Sequence, residues 1–281
     1  MYQPFWGLVR APFDQCLEPD FFYRSQTHQE ALVRLRYMIE NRMGAGLLAG
    51  SAGTGKSSLI SMLAAELPED LDPLIHVIYP RMSPQELLAW LAAELGDDSA
   101  SQHSPAGSVP AILTVDRSIR AIQRRLTELT EEGRRAAIVM DDAHLIDNPQ
   151  VLQTLQLLLN FQQRPEIDFS LILAGEPELL PQVQRMGQLN DRLAVRCVLR
   201  PLTDSETTEY VQHRLAAAGS RMPVFDQSAM ESLFELTGGV PRKINRLCDL
   251  ALLVGCADQL QTVRAEEIEA VARELNSVAA A

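Results

Sequence analysis

The sequence has few cysteines and no long apolar run, and both shortages narrow the classes of protein that it can encode. No apolar stretch approaches the roughly 20 residues that span a bilayer, and no charged-then-apolar leader opens the chain. We therefore expect a cytoplasmic protein without a membrane anchor, which leaves a separate membrane-bound partner open. The absence of any CxxC pair is typical of reduced thiols rather than of a zinc site or a disulfide framework. The four cysteines are Cys16, Cys197, Cys248 and Cys256.

Positive charge is also scarce, and arginine carries nearly all of it. The chain has 25 Lys and Arg against 37 Asp and Glu, which gives a net charge of -12. This balance argues against a surface coated in positive potential for nucleic acid, although a local basic patch stays compatible with it. The only lysines are Lys56 and Lys243, so we expect a specific requirement where a lysine does occur.

Lys56 lies in a pattern that predicts a phosphate-binding loop. The stretch LLAGSAGTGKSSLI reads as a strand, a glycine-rich turn and a helix, and residues 50–57 match G-x-x-x-x-G-K-S. Backbone N–H groups of such a loop surround a phosphate, the lysine reaches the outer phosphates, and the hydroxyl of Ser57 binds magnesium. The predicted nucleotide-binding residues are Gly50, Ser51, Ala52, Gly53, Thr54, Gly55, Lys56, Ser57 and Ser58.

Two adjacent acids follow a second apolar segment, in AIVMDDAHLI at residues 137–146. A strand buried on both faces places Asp141 and Asp142 at the carboxyl edge of a parallel sheet, where ligands bind. Asp141 is the predicted magnesium ligand beside Ser57, and Asp142 is predicted to orient the water that attacks the terminal phosphorus. We interpret His144 as a helix-cap or packing residue, with a contact to the substrate side as the alternative.

Asp142 stands where most proteins of this kind carry glutamate. Aspartate is shorter by one carbon–carbon bond, about 1.5 Å, and a misplacement of about 1 Å can cost on the order of a hundredfold in rate. Slow hydrolysis is therefore one hypothesis, and a compensating shift of the strand is the other.

The remaining pattern predicts an α/β fold: a P-loop αβα sandwich with a five-stranded parallel sheet, followed by a small α-helical lid. We expect one domain at residues 1–202, opening with an aromatic and helical segment at 1–43, and a lid at 203–281. The segment at residues 96–110 is predicted to be a mobile loop. The predicted strands are 47–50, 74–79, 136–141, 169–175 and 196–202; the predicted helices are 58–67, 83–95, 115–132, 149–161, 204–218, 227–237, 241–254 and 265–275.

A P-loop sheet followed by a helical lid is the plan of AAA+ ATPases, and several segments resemble the ExeA (GspA) family of secretion-associated members. TGGVPRKINRLCDLALL at residues 237–253 is similar to that family's lid motif, and the opening from YQPFWG to the P-loop is similar to its amino end. LAGEPELL and LAVRCVLRPLT extend the similarity to nearly the whole chain. The resemblance implies ATP and Mg²⁺ as cofactors, a homo-oligomeric ring or filament, and a protein client, membrane-bound or not, in secretion or envelope assembly.

The same resemblance implies roles for three positions beyond the P-loop. Arg242 matches the sensor arginine that touches the terminal phosphates, and a guanidinium recognises phosphate oxygens through a rigid fork. Arg192 matches the arginine finger presented to a neighbouring subunit, with Arg196 as the second candidate and an exposed ion pair with Asp191 as the structural alternative. Glu176 departs from the polar sensor of AAA+ proteins and from the glutamine that the secretion relatives tend to carry.

Two further features separate the competing functions. An aromatic opening is expected to pack against the sheet and to cover the adenine rather than to stack nucleic-acid bases, because only one basic residue, Arg10, is interleaved with it. An arginine stripe on one helix is expected to be a solvated face. The aromatic residues are Phe5, Trp6, Phe13, Phe21, Phe22 and Tyr23; the arginines are Arg117, Arg120, Arg124 and Arg125.

The leading hypothesis is an AAA+ ATPase that drives or switches assembly of a protein complex. The first alternative is an ATP-dependent, DNA-binding regulator resembling transposition ATPases of the TniB and TnsC type, which would use the arginine stripe and which the acidic balance does not favour. The second is a nucleotide-dependent scaffold with little turnover, as Asp142 and Glu176 would permit.

Overall fold

The protein is described here from a computed structural model, which covers residues 2–14, 18–68, 70–96 and 114–279. The loop expected at 96–110 lies outside these residues apart from Gly96, and so does Cys16. Among the helices that the structure describes, none combines the length and the apolar character needed to cross a bilayer.

The centre of the fold is a five-stranded sheet with the order β2-β3-β4-β1-β5. Its pairings of β2 with β3, β3 with β4 and β4 with β1 are parallel. Every residue of β1, β3 and β4 is buried, which explains why their sequences are continuous apolar runs rather than alternating ones. The strands are β1 Ala45–Gly50, β2 Leu74–Val77, β3 Ala136–Met140, β4 Phe169–Gly175 and β5 Leu193–Leu199.

Helices alternate with these strands, as predicted, so the α/β fold class and its five-stranded sheet are confirmed. Short 3₁₀ helices at Pro19–Phe21, Ala143–Leu145 and Leu159–Gln163 supplement them. The helices of this part are α1 Gln26–Glu40, α2 Lys56–Glu66, α3 Pro84–Glu94, α4 Val115–Glu131, α5 Pro149–Leu158, α6 Leu179–Gln184 and α7 Gly187–Asn190.

The position of the fifth strand differs from the prediction. The sequence pattern predicts a strand at 196–202, whereas β5 begins and ends three residues earlier, at Leu193 and Leu199. Pro201 has no N–H to donate to a ladder, so the strand stops before it. Leu193, Cys197 and Leu199 are the side chains that β5 buries.

The described chain divides into two compact units. One comprises Glu30–Gly50 and Leu63–Val198 and contains the sheet, so we name it the sheet unit. The other comprises Met1–Gln29, Ser51–Met62 and Leu199–Ala281, and we name it the helical unit. The boundary predicted at residue 202 stays a prediction.

Four helices of the helical unit match the four predicted for the lid: α8 Asp204–Ala217, α9 Gln227–Thr237, α10 Pro241–Ala257 and α11 Ala265–Ala279. Their starts are set by local chemistry. The side chain of Thr203 accepts from the Glu206 amide and the Glu206 carboxylate accepts from the Thr203 amide, a capping box that begins α8. Asp226 caps α9, and Pro241 occupies the first turn of α10, where a missing N–H costs nothing.

The aromatic opening packs differently from the expectation. Tyr2, Phe13 and Phe21 are buried in one apolar cluster with side chains of α8 to α11, so they belong to the core of the helical unit rather than to the sheet. The guanidinium of Arg214, on α8, donates to the backbone carbonyls of Pro12 and Asp14 at 2.5 and 2.7 Å. These bonds fix the opening segment to the helices, and they satisfy a buried cation.

Candidate active site

The P-loop is curled around its own backbone within the helical unit. The amide and the hydroxyl of Thr54 donate to the Ser51 carbonyl at 3.2 and 2.8 Å, and Lys56 Nζ donates to the same carbonyl at 3.3 Å. Lys56 is 8% exposed, and α2 begins at this residue, so the first N–H groups of the helix follow the loop directly.

Two glycines are required by this geometry. Gly53 and Gly55 have φ of +80° and +99°, a region that side chains disfavour. A Cβ on Gly53 would lie 2.7 Å from Arg242 Cβ, and one on Gly55 would lie 2.8 Å from His28 Nε2. The glycine spacing of the motif therefore reflects both backbone conformation and close packing.

His28 is a residue of this site that sequence reasoning missed. Its Nε2 lies 3.0 Å from the Thr54 carbonyl oxygen, which can only accept, so Nε2 carries the proton; Nδ1 then accepts from the Ser25 hydroxyl at 2.7 Å. Burial lowers the pKa of His28 and keeps the imidazole neutral. The stretch RSQTHQ showed a Ser/His segment, but no local pattern ties it to a loop 26 residues further on.

Beside the loop, the helical unit contains a small recess, partly open to solvent, with a cavity volume of about 50 Å³. Aromatic and apolar side chains dominate its walls, a lining typical of small-molecule sites. The recess adjoins the P-loop, since Thr54, Gly55 and Ser58 are among the residues that line it. Its lining includes Phe22, Tyr23, His28, Gly55, Met62 and Pro241.

Arg242 lies at this loop as well. Its amide donates to the Gly53 carbonyl at 3.2 Å, at the start of α10. Its side chain is exposed and pairs with no acidic side chain in the part of the chain that the structure describes. The structure thus places the predicted sensor arginine beside the P-loop, and its sensing role stays a prediction.

The two predicted acids lie in the sheet unit, at the same sheet edge as Gly50. Parallel pairing aligns the carboxyl ends of β3, β4 and β1, with Met140 opposite Leu173 and Ala49 opposite Gly175. Asp141 is 7% exposed. Its Oδ1 accepts from the Asp142 amide at 2.9 Å, and its Oδ2 lies 3.2 Å from His76 Nε2.

His76 is the second residue that the sequence did not reveal. It lies on β2 opposite Val139, and only the strand pairing brings it to Asp141. Asp142 differs from its neighbour: its backbone is left-handed, with φ of 46°, and half of its side chain is exposed, at 51%. The two acids therefore have unequal surroundings, one enclosed and one facing outward.

His144 is not a helix cap, which was one of the interpretations drawn from the sequence. It lies in the 3₁₀ helix Ala143–Leu145, and its Nδ1 accepts from the Glu176 amide at 3.2 Å. Its Nε2 lies 3.6 Å from Glu176 Oε1, and its Nδ1 lies 4.0 Å from Asp142 Oδ1. The imidazole therefore connects the end of β4 to the acids after β3.

The two arginine-finger candidates have partners other than the expected Asp191. Arg192 Nη2 donates to Asn160 Oδ1 at 2.5 Å. Arg196 Nη2 donates to the Asn190 carbonyl at 3.1 Å and to Asn190 Oδ1 at 2.9 Å. Both guanidinium groups are held by neutral amides, so their charge is not cancelled by these contacts.

The arginine stripe on α4 is largely neutralised by acids of the same helix. Arg120 pairs with Asp116 at 3.0 Å, and Arg124 pairs with Glu128 at 3.9 Å. Arg125 donates to the Leu95 carbonyl at 3.0 Å and pairs with Glu128 at 3.2 Å. The stripe is therefore a helix face laced with ion pairs rather than a free positive patch.

Comparison with known proteins agrees with this architecture. A family model described as AAA domain matches residues 39–183. General secretion pathway protein A of Aeromonas hydrophila is 30% identical over 281 residues, which are 99% of this chain and 49% of that protein. The chain thus spans about half the length of this curated relative.

Solved structures with the same fold are more distant in sequence. Cdc6p of Pyrobaculum aerophilum aligns with a TM-score of 0.69 and 16% identity, over 95% of this chain and 71% of that one. ORC2 of Aeropyrum pernix aligns with a TM-score of 0.67 and 16% identity, over 94% of this chain and 71% of that one. RuvB of Thermotoga maritima, a Holliday junction branch migration motor, aligns with a TM-score of 0.61 and 18% identity, over 94% of this chain and 74% of that one. At these identities the likeness shows the fold alone.

Proposed function

Because the chain belongs to the AAA domain family and is an AAA+ ATPase related to general secretion pathway protein A, we propose that it binds and hydrolyses Mg²⁺-ATP. One observation carries the proposal: a P-loop closed on the Ser51 carbonyl, with a buried lysine, follows Gly50 directly in the chain, and Gly50 ends β1 at the sheet edge that also bears the enclosed carboxylate of Asp141. That edge is where parallel α/β sheets hold their ligands.

The residues divide the work of phosphoryl transfer between them. The P-loop amides and Lys56 would hold the phosphates, and Ser57 and Asp141 would hold Mg²⁺, which would offset the charge on the phosphate oxygens. Asp142 orients a water whose oxygen bonds to the terminal phosphorus as the bond from that phosphorus to the oxygen of ADP breaks. The proton that the water loses passes to the released phosphate.

Arginines complete the proposed site from two directions. Arg242, whose amide binds Gly53, contacts the terminal phosphates through its guanidinium. Arg192 acts in trans, in the site of a neighbouring copy, and a finger of this kind contributes about 10³ to 10⁵ in rate. The proposed assembly is therefore a homo-oligomer, a ring or a filament.

The client is proposed from the relation to general secretion pathway protein A: a protein complex of the secretion or envelope type, acted on from the cytoplasmic side. The chain spans about half of that relative's length, so the client is a proposal here. The slow scaffold is the second candidate, because the Asp142 side chain is short and half exposed. The DNA-binding alternative is weakened, because Arg120, Arg124 and Arg125 on α4 are paired with acidic side chains rather than free to bind phosphates.

ATP turnover measured against protein concentration, with and without duplex DNA, tests this proposal. We expect turnover per molecule to rise with concentration in the wild type and to fall by at least tenfold in Arg192→Ala, with Asp142→Asn also impaired. Arg196→Ala tests the second candidate finger, and Arg185→Ala is the matched control, since it removes an exposed arginine seven residues away from Arg192. Turnover per molecule that is independent of concentration and unchanged in Arg192→Ala excludes the trans finger, and stimulation by DNA favours the nucleic-acid alternative.

A further inference from the structure

The first turn of α1 carries an imidazole that lies against the P-loop. His28 is buried, and its Nε2 donates to the Thr54 carbonyl at 3.0 Å. α1 begins at Gln26, and its residues up to 29 belong to the helical unit, as do residues 51–62. The contact therefore lies within one compact unit, and it joins two positions that are 26 residues apart in the chain.

Two neighbours hold this ring in one orientation. Its Nδ1 accepts from the Ser25 hydroxyl at 2.7 Å, which leaves the proton of the neutral ring on Nε2. Ser25 is itself buried, so water does not compete for this bond. The Phe22 ring meets the imidazole edge to face, with the centroids 5.7 Å apart and the planes at 79°. The donor that faces Thr54 is therefore fixed both chemically and sterically.

The peptide unit between Thr54 and Gly55 carries this contact to the other side of the loop. A trans peptide unit is planar, so its C=O and its N–H point in opposite directions. Because the Thr54 carbonyl is directed at the imidazole, the Gly55 N–H points away from it. Within the part of the chain that the structure describes, this N–H donates to no backbone carbonyl, so it is available to an anion.

The same peptide unit is free to rotate unless something holds it. Gly55 has φ of +99°, and a glycine reaches both signs of φ at little cost, so its preceding peptide can flip. A flip would break the bond to His28 and would present a carbonyl oxygen, the negative end of the peptide dipole, where the N–H now points. The imidazole therefore stabilises one of two orientations that the glycine permits.

We infer that His28 is a positioning residue of the P-loop: its Nε2–H holds the Thr54–Gly55 peptide in the orientation that directs the Gly55 N–H at the nucleotide phosphates. Ser25 supports this role by fixing the tautomer of the ring. The inference rests on the proposed function. It names a side chain outside the glycine-rich motif on which affinity for the phosphates depends.

His28→Met and His28→Gln separate hydrogen bonding from packing, because the two new side chains have the same length and only the amide carries an N–H donor. His28→Met should raise the Kd of Mg²⁺-ADP by about tenfold or more, the effect of losing a hydrogen bond to a charged group. His28→Gln should bind Mg²⁺-ADP more tightly than His28→Met and recover most of the wild-type affinity. Isothermal titration calorimetry measures each Kd.

His213→Met is the matched control. It makes the same substitution in the same unit, at a ring whose Nε2 has no hydrogen-bond partner among the residues that the structure describes. We expect the Kd of Mg²⁺-ADP to be unchanged in it. The melting temperature of each variant without nucleotide verifies that it is folded.

Nitrogen-15 NMR of the imidazole adds a test on the wild type that needs no variant. The chemical shifts of the two ring nitrogens show which of them carries the proton, and we expect the proton of His28 on Nε2. A proton on Nδ1 would leave Nε2 as an acceptor facing the Thr54 carbonyl, so the peptide would not be held. This measurement decides the question even where His28→Met does not fold.

The outcomes separate this inference from the proposed function. A wild type that binds neither ATP nor ADP overturns both. A wild type that binds ADP overturns only the role of His28 if His28→Met and His28→Gln have equal Kd, or if the ring carries its proton on Nδ1.

Discussion

At the scale of single residues, the site divides into positions with a local pattern and positions without one. The P-loop was predictable, because its glycines, Lys56 and Ser57 are required at fixed spacing for reasons internal to the loop. His28 and His76 were not, because each acts on a partner that only the fold supplies: the Thr54 carbonyl and Asp141. The sequence therefore predicted the phosphate-binding residues of the loop, but not the side chain that hydrogen-bonds to its backbone.

His28 gives a pH-dependent prediction. Burial lowers its pKa in the folded state, so between that value and the ordinary value of about 6.5 the unfolded chain binds more protons than the native one. The contribution of His28 to the free energy of unfolding should therefore decrease as pH falls below about 6.5. Above that pH the contribution should not change with pH.

Chemical denaturation at a series of pH values measures the effect. In His28→Gln the amide can still donate to the Thr54 carbonyl, but the titrating group is gone, so the slope of stability against pH just below about 6.5 should be smaller than in the wild type. The groups around His28 are Ser25, Thr54 and Phe22, together with Glu206 as the nearby charge. An identical slope in both proteins would show that His28 does not titrate in this window.

At the scale of elements, type was predicted better than position. Every predicted helix and strand outside 96–110 has a counterpart, because buried parallel strands and amphipathic helices carry strong patterns. β5 was placed three residues too late, since periodicity is weak where strand and loop residues are both apolar and only Pro201 marks the limit. The packing of the aromatic opening could not be predicted, as it depends on contacts with helices 200 residues away, such as that between Arg214 and Asp14.

Helix capping offers a matched comparison at this scale. Glu206 and Glu86 complete the same capping box, on α8 and α3, but Glu206 also accepts from the Gln26 amide, at 3.0 Å. Glu206 therefore serves the first turn of α8 and that of α1. We expect Glu206→Ala to lower the melting temperature more than Glu86→Ala does.

The hydroxyl residue of each capping box, Ser83 or Thr203, gives a reference for this comparison. Loss of such a cap lowers the free energy of unfolding by about 1 kcal/mol. Thr203→Ala and Ser83→Ala should therefore resemble each other, while the two glutamate variants differ. Equal melting temperatures for Glu206→Ala and Glu86→Ala would show that the Gln26 contact contributes nothing.

At the scale of the whole molecule, the family was predictable from sequence because its motifs extend over nearly the full chain, and the match to the AAA domain confirms it. The domain boundary expected at residue 202 was drawn where the strand pattern stops. That boundary stays a prediction; the compact unit that holds Leu199–Ala281 also contains residues 51–62, the P-loop and most of its helix. Three features involve more than one chain: the client, the oligomeric assembly and the arginine finger in trans. They therefore stay proposals.

The central claim is that the P-loop and Asp141 together support magnesium-dependent hydrolysis of ATP. Release of phosphate from ATP, measured with and without Mg²⁺ for the wild type, Lys56→Ala and Asp141→Asn, tests it most directly. We predict turnover in the wild type that requires Mg²⁺ and falls by on the order of a hundredfold or more in both variants, since each removes a group that holds the phosphates or the metal. Wild-type protein that releases no phosphate, or Lys56→Ala that releases it as fast as the wild type, would contradict the claim.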